Sequence, residues 1–161
     1  MDHLLLLPCH SVWLGGDSLG QNQDEWILAP FQYTGNDHLC FVDHIHQAYQ
    51  TLSTDENALL VISGGATKPE TAVSESQSYF NLAEKLGYAK YADKNTILEE
   101  YATDSMENVV FLICRFYEVT GLYPSKITVI GFEFKRGRFL ENHLTALNWS
   151  NSKYVGNSPD P

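Results

Sequence analysis

Two kinds of hydrophobic pattern alternate along the chain. Short continuous apolar runs occupy residues 4–7, 58–62, 97–98 and 127–132. Such runs are typical of strands buried on both faces, as in a parallel sheet. Between them, apolar residues recur at helical spacing over His38 to Leu52, Ser74 to Gly87, Thr103 to Gly121, and Leu140 to Leu147. The alternation predicts the α/β class, a three-layer Rossmann-like fold whose mostly parallel sheet has helices on both faces.

Length and composition fit one domain that spans residues 1–161. The chain is 43% hydrophobic, which is enough for a single core. Residues 17–38 form a long, mostly polar loop, and long loops in compact domains often serve as lids or binding segments. The polar tail from Trp149 to Pro161 is predicted to be a surface wrap or a loose end.

Charge and cysteine content narrow the range of partners. The formal net charge of −10 argues against a nucleic-acid surface, because that kind of binding needs a broad basic face. Cys9, Cys40 and Cys114 are odd in number and lack metal-ligand spacing, so neither disulfides nor a metal site is predicted. The apolar run before Pro8 is too short for a membrane span and has no basic flank of the signal-peptide kind. We therefore expect a soluble cytoplasmic protein without nucleic-acid or membrane partners.

A cluster of three cations is the leading indication of function. Lys135, Arg136 and Arg138 belong to a set of only ten Lys and Arg residues, set against twenty Asp and Glu. They directly precede the last predicted helix, and a helix N-terminus repels cations. One interpretation is an anion clamp in which Lys135 and Arg138 hold a phosphate or carboxylate. The other is a solvated face with salt bridges to Glu133 or Glu141.

The turns that follow parallel strands lie at one edge of the sheet, where open α/β folds bind ligands. We therefore expect His10, Ser63 to Gly65, Glu99 to Ser105 and Lys135 to Arg138 to converge there. Gly64 and Gly65 could present backbone N–H groups to a phosphate, although a tight turn is the commoner use of a glycine pair. The stretch is neither a Walker loop, a GxGxxG fingerprint nor a GxSxG elbow.

Three residues near this edge are candidates for catalysis or for orienting a ligand. His10 follows the first strand and is either a general acid or base, or a hydrogen-bonded structural histidine. Glu75 opens the second helix, where it complements the helix dipole or contacts a ligand or the basic cluster. Glu99 stands ahead of the third helix and is not needed for its cap.

The third helix opens on a capping box over residues 104–107, in which Asp or Ser caps the first turn and Glu reaches back. Asn108 is not part of that box. Asn108 is therefore predicted to bind the ligand. Ser105, at the start of this helix, and Ser63, at the end of a strand, are predicted to bind it as well. His143 lies in the apolar register of the last helix and is predicted to be a core residue.

The order of these motifs resembles the domain-of-unknown-function family 218, the YdcF/SanA-like proteins, and is most similar to its eukaryotic, fungal-type branch. The matching stretches, all within residues 58–147, are Ile62-Ser63-Gly64-Gly65, Ser74-Glu75, Glu99 to Ala102 with Asp104, Ser105, Glu107 and Asn108, and Val129 to Arg138. The resemblance implies a three-layer α/β fold with a polar pocket at the C-terminal ends of the strands. It implies no settled reaction, and it links the chain to nucleotide-like ligands such as S-adenosylmethionine.

Departures from the bacterial members bear on the chemistry that the resemblance implies. Gly131 and Phe132 replace a Thr-Ser pair, and Lys135 replaces a histidine, whereas the arginine that follows is retained as Arg138. A lysine does not shuttle protons near neutral pH unless its pKa is strongly lowered, so anion binding is the role implied here. His10 is then the histidine expected to act if this branch uses one.

Two functions from different classes follow. The first is a small-molecule-binding protein or enzyme, a transferase or hydrolase if catalytic, with a pocket for an anionic phosphate- or nucleotide-like ligand. The second is a non-catalytic protein-interaction domain that uses the 17–38 loop and exposes an apolar patch around Trp26, Ile27, Phe31 and Tyr33. We favour the first because of the predicted convergence of polar residues at one edge.

Overall fold

A five-stranded parallel sheet forms the centre of the protein in the computed structural model, which describes residues 1–88, 90, 95–149 and 151–160. The strands are β1 (His3–Pro8), β2 (Val12–Trp13), β3 (Trp26–Ile27), β4 (Ala58–Ser63), β5 (Thr96–Glu99), β6 (Lys126–Phe132) and β7 (Ser152–Asn157). The central sheet has the order β5-β4-β1-β6-β7, and β2 and β3 form a separate antiparallel pair. The predicted α/β class is confirmed.

Within the residues that the structure describes, three α-helices and several short helical turns connect these strands. The α-helices are α1 (Asp37–Thr54), α2 (Glu75–Ala83) and α3 (Ser105–Thr120). One-turn 3-10 helices occupy Gln23–Glu25, Pro30–Gln32 and Glu133–Lys135, and π-helical segments occupy Glu84–Tyr88 and Arg138–Leu144. The helices therefore fall where the sequence pattern placed them, except that the last one is a short π-helix.

Alternate residues of the central strands enter two different cores. Leu5 and Leu7 of β1 pack with residues of α1 and α2 on one face, whereas Leu4 and Leu6 pack with residues of α3 on the other. Every residue of β1 is buried, because both faces of the sheet are covered. This explains why the strand reads as a continuous apolar run and not as an alternating one.

The starts of α2 and α3 are fixed by the capping residues that the sequence indicates. Ser74 Oγ accepts a hydrogen bond from Gln77 N at 3.0 Å. Asp104 Oδ1 accepts from Glu107 N at 2.8 Å, and Glu107 Oε1 in turn accepts from Thr103 N at 3.1 Å. Asp104 is therefore the capping side chain, which leaves the neighbouring serine hydroxyl free for other contacts; Glu107 reaches back as predicted, but to Thr103 and not to the N-cap N–H of a standard capping box.

The long loop ahead of α1 has a fixed shape built around the Glu25 carboxylate. This carboxylate accepts hydrogen bonds from Ser18 Oγ at 2.5 Å, Gly20 N at 2.8 Å and the Trp13 indole N–H at 3.0 Å. Burial opposes ionisation of Glu25, yet these donors lower its pKa to about 2. The Trp26 indole donates to Gly20 O at 3.0 Å, which holds the apolar part of the loop against the core.

The tail predicted as a surface wrap or loose end instead supplies β7, so that prediction is wrong. β7 pairs in parallel with β6 from Ile127 to Phe132. Tyr154 is its one buried residue, and the Tyr154 hydroxyl donates to Phe132 O at 2.6 Å. Asn157 Oδ1 accepts a 2.6 Å hydrogen bond from His44 Nε2. An edge strand needs few apolar residues, which is why this one escaped the hydrophobic pattern.

Candidate functional site

A polar cavity of about 250 Å³ lies at the C-terminal edge of the sheet. It is bordered by the end of β1, the start of α2, the residues that lead into α3, and the turns after β6. Its lining residues are Pro8, Cys9, His10, Glu75, Ala102, Thr103, Asp104, Ser105, Asn108, Lys135, Arg138 and Phe139. The predicted convergence of the strand-end turns on one place is therefore confirmed, because residues from each of these segments border the cavity or support its wall.

The three cations of the basic cluster divide into two roles. Arg136 forms a bidentate pair with Glu133, with both N–O distances at 2.8 Å, and also donates to Tyr154 O at 3.2 Å. Among the described residues, Lys135 and Arg138 form no salt bridge, and both line the cavity. Burial and the nearby Arg138 guanidinium lower the pKa of Lys135, while Glu75 acts in the opposite direction. The salt bridges that the alternative interpretation predicts for Lys135 and Arg138 are thus absent among the described residues; Lys135 is half-buried and Arg138 is exposed, and both border the cavity.

Glu75 brings a buried carboxyl group to the same cavity. It is the first residue of α2 and only 8% exposed. Burial raises its pKa, while Lys68, the Thr67 side chain and Lys135 act in the opposite direction. A carboxyl group with a raised pKa beside a lysine with a lowered pKa is an arrangement that occurs often at functional sites.

Gly64 and Gly65 do not present donors to the cavity, which corrects the predicted binding role. Gly64 N donates to Glu99 O and Gly65 N donates to Ala102 O, both at 2.9 Å. Their carbonyl oxygens accept from the first two N–H groups of α2, those of Glu75 and Ser76. The glycine turn therefore joins β4 to the segment after β5 and sets the position of α2.

Ser63, Glu99 and Asn108 form a hydrogen-bonded network behind the cavity wall. Ser63 Oγ donates to Glu99 Oε2 at 2.6 Å and accepts from Asn108 Nδ2 at 2.8 Å. Glu99 Oε1 also accepts from the backbone of Tyr101 at 2.6 Å and Ala102 at 3.1 Å. Asn108 borders the cavity, whereas Ser63 and Glu99 do not. The polar atoms of Glu99 and Ser63 are occupied within the protein, which favours structural roles for both at this cavity over the predicted catalytic and ligand-binding ones; Glu99 also lines a separate cavity of about 580 Å³.

His10 borders the cavity among aromatic rings. Its ring centroid lies 4.8 Å from that of Phe132 and 5.7 Å from that of Phe41. Nε2 is buried and has no hydrogen-bond partner among the described residues. Burial, together with the charge of Lys135 and the neighbouring His44, lowers the pKa of His10 well below its ordinary value. The imidazole is therefore neutral at pH 7, and the long loop holds its backbone through a 3.2 Å hydrogen bond from Gln32 Nε2 to His10 O.

Two features of the cavity were not predicted. Ser105 Oγ lies 2.8 Å from His143 Nε2, so His143 is a partly buried partner of a cavity residue and not a core residue. The helical spacing of His143 with Leu140 and Leu147 predicted an apolar environment. It could not predict this contact, because one face of a helix can have both apolar and polar neighbours. Cys9 also lines the cavity, and burial raises the pKa of its thiol, so the thiol stays protonated at pH 7.

Within the ranges that the structure describes, no group of three or more His, Cys, Asp or Glu side chains is arranged to hold a metal ion. No helix in those ranges combines the length and apolarity needed to cross a membrane.

The fold and the cavity define the class: a Rossmann-like α/β protein with a polar, cation-bearing cavity at the C-terminal edge of its parallel sheet. The chain is 37% identical over 205 aligned residues to "Uncharacterized protein YOR238W" of Saccharomyces cerevisiae, an alignment that covers 98% of this chain and 68% of the yeast protein. The chain therefore belongs to the same family as that yeast protein. No protein-family model matches it, and no solved structure matches it significantly.

Proposed function

We propose that the protein binds, and acts on, an anionic small molecule whose phosphate-like group enters the cavity between Lys135 and Arg138. The observation that carries this proposal is that two neighbouring cations face one cavity without a salt bridge to any described residue. Placing like charges together is unfavourable, and one of the two is partly buried. A bound anion would offset both costs.

The size of the cavity favours a small charged group over a whole nucleotide. Its 250 Å³ lies just below the roughly 300–1,000 Å³ typical of pockets that enclose a drug-sized ligand. A phosphate and the few atoms attached to it would fit, with the remainder of a nucleotide or sugar outside. S-adenosylmethionine is less favoured, because its sulfonium would add a third positive charge beside Lys135 and Arg138.

The titratable groups support a transferase or hydrolase in preference to a passive binder. Glu75, with its raised pKa, could donate a proton to a leaving group. His10 is neutral and has one buried ring nitrogen without a partner among the described residues, so it suits a hydrogen-bonding role towards the ligand better than that of a base, because its pKa is lowered well below the ordinary value. We also infer a relationship to family 218, supported by the matching residues Glu75, Ser105, Asn108 and Arg138, all of which border the cavity.

The experiment that tests this function is a thermal-shift screen with inorganic phosphate, sugar phosphates, nucleotides and S-adenosylmethionine. A ligand at 100 times its Kd should stabilise the folded protein by about 2.7 kcal/mol. Lys135→Met should remove most of that shift, whereas Lys153→Met, at an exposed lysine of β7, should keep it. Equal shifts in both variants, or no shift with any phosphate compound in the wild type, would contradict the proposal.

The second candidate is a protein-interaction surface on the long loop. Phe31 and Tyr33 are 74% and 44% exposed, which favours it. Trp26, however, is only 3% exposed, and Ile27 is half-buried, so the predicted apolar patch is reduced to two exposed residues. Solitary exposed aromatics are common on protein surfaces, which makes this candidate the weaker one.

A further inference from the structure

We propose that Ser105 is a nucleophile and that His143 is its general base, in a reaction on a phosphate monoester. This inference rests on the proposed function, because Lys135 and Arg138 would hold the phosphoryl group that Ser105 attacks. It assigns chemistry to a hydroxyl–imidazole pair that the anion-binding role alone does not require.

The geometry of the pair is that of a serine activated by a histidine. Ser105 Oγ lies 2.8 Å from His143 Nε2, within the range for proton transfer from hydroxyl to imidazole. Ser105 also lines the cavity that contains the two cations. In the tautomer that carries its proton on Nδ1, the imidazole accepts the hydrogen bond from Ser105 Oγ, and the hydroxyl borders the space in which a phosphoryl group would bind.

The hydroxyl of Ser105 has no duty in capping its helix. Asp104 provides the cap through its bond to Glu107 N, and the N-terminal turn of the 16-residue helix α3 begins at Ser105. The positive end of the helix dipole would favour the negative charge that develops on Ser105 Oγ during attack. The position thus suits a nucleophile better than a structural serine.

The surroundings of His143 keep the imidazole available as a base. Burial and the positive charge of Arg138 lower the pKa of His143, while Asp104 acts in the opposite direction. The neutral form therefore predominates at pH 7. The ring also packs edge-on against Phe139, with centroids 5.6 Å apart, which limits its rotation away from Ser105.

The first half-reaction transfers the phosphoryl group to the protein. The Ser105 Oγ–P bond forms as the hydroxyl proton passes to His143 Nε2, and the ester P–O bond breaks. The departing alcohol oxygen takes a proton from the Glu75 carboxyl group, whose raised pKa keeps a protonated fraction available. The products are phosphoserine at position 105, a free alcohol, an imidazolium and a carboxylate.

Water completes the cycle. A water molecule loses a proton to the Glu75 carboxylate and bonds to phosphorus, while the P–Oγ bond breaks. Ser105 Oγ recovers its proton from the His143 imidazolium. The net reaction consumes one phosphate ester and one water and yields one alcohol and one phosphate, with every residue returned to its starting state.

The test uses the full chain with two small phosphoryl donors, p-nitrophenyl phosphate and acetyl phosphate, followed by acid quench and peptide mass spectrometry. We expect phosphoserine at position 105 in the wild type and none in Ser105→Ala, whose turnover should fall to background. Ser125→Ala, at an exposed serine, should behave as wild type. Far-UV circular dichroism of each variant verifies that it is folded.

The His143→Gln variant distinguishes a general base from a residue that only holds Ser105 in place. A glutamine amide can accept the Ser105 hydrogen bond but cannot take its proton at pH 7. We expect its kcat/KM to fall by on the order of 10²–10⁴-fold. In the pH–rate profile of the wild type, activity should fall on the acid side at a pH below 6.5, because burial and Arg138 lower the pKa of His143. His143→Gln should lack that acid limb.

Each outcome bears on a distinct claim. Phosphate stabilisation without donor turnover above the Ser105→Ala background would overturn this inference and leave the proposed anion binding intact. Absence of both would overturn both. Phosphorylation of a different residue, or a His143→Gln variant with the wild-type rate and pH profile, would also overturn the assignment.

Discussion

The backbone of Gly64 packs directly against the side chain of Glu75: a Cβ atom on Gly64 would lie 2.9 Å from Glu75 Cβ and 3.1 Å from Glu75 Oε1. Gly64→Ala should therefore displace the buried carboxyl group and destabilise the protein by about 1–3 kcal/mol, the usual cost of overpacking. Chemical denaturation measures this loss. Gly137→Ala is the matched control, because its added Cβ would meet Glu141 Oε2 at an ordinary 3.6 Å. Equal stability of the two variants would contradict the close packing described here.

Glu25 should make stability depend on pH in the acid range. Hydrogen-bond donors lower its pKa from 4.5 to about 2, so its contribution is full above pH 4.5 and is lost as the pH falls towards 2. Glu25→Gln should cost about 1–3 kcal/mol at pH 7. The NH₂ group of the glutamine would face N–H and O–H donors that now point at a carboxylate oxygen, so those donors would lose their acceptor. Urea unfolding at several pH values should show the two proteins converging between pH 4.5 and 2. A difference that is independent of pH would refute this assignment.

Lys135 should reduce stability when no anion is bound. Burial and Arg138 lower its pKa, so the folded state disfavours its charged form at pH 7, and this cost disappears as the pH rises past the ordinary value of 10.5. Lys135→Met should therefore raise Tm in phosphate-free buffer by a few degrees, on the order of 1 kcal/mol. Lys153→Met should change stability by less than about 0.5 kcal/mol. A lower Tm for Lys135→Met would mean that the lysine has a stabilising partner.

Tyr154 should anchor the last strand through its hydroxyl. Its bond to Phe132 O is buried and 2.6 Å long, so Tyr154→Phe leaves a buried carbonyl without this donor. We expect a loss of about 1–2 kcal/mol in the free energy of unfolding. Tyr117→Phe, at a tyrosine 46% exposed on α3, serves as the control and should be nearly neutral. Differential scanning calorimetry of both variants decides between an anchoring hydroxyl and one that water can replace.

The sequence could predict where Lys135, Arg138 and His10 lie, because parallel strands impose that placement on any residue directly after them. It could not predict the partners of individual side chains. Glu99 looked available for catalysis, yet its carboxylate is used by Ser63 and by the backbone that follows β5. Such short-range competition depends on side-chain direction, which hydrophobic periodicity does not encode.

His143 and β7 illustrate two other limits of the pattern. Helical spacing assigns a residue to a face, but the face of the Arg138–Leu144 segment that carries His143 meets Ser105 as well as the core. β7 lacks an apolar run because it lies at the edge of the sheet, and its register depends on partners more than a hundred residues earlier, such as His44. Neither contact is local in sequence.

The position of β7 also covers the edge of β6, where strands of other protein molecules could otherwise pair. β6 is buried along almost its whole length and would carry an unpaired, apolar edge without this polar strand beside it. Exposed apolar edges recruit strands from other molecules. A chain shortened by its last ten residues would thus be expected to self-associate through β6, so the segment predicted to be a surface wrap or a loose end would protect the sheet edge against aggregation.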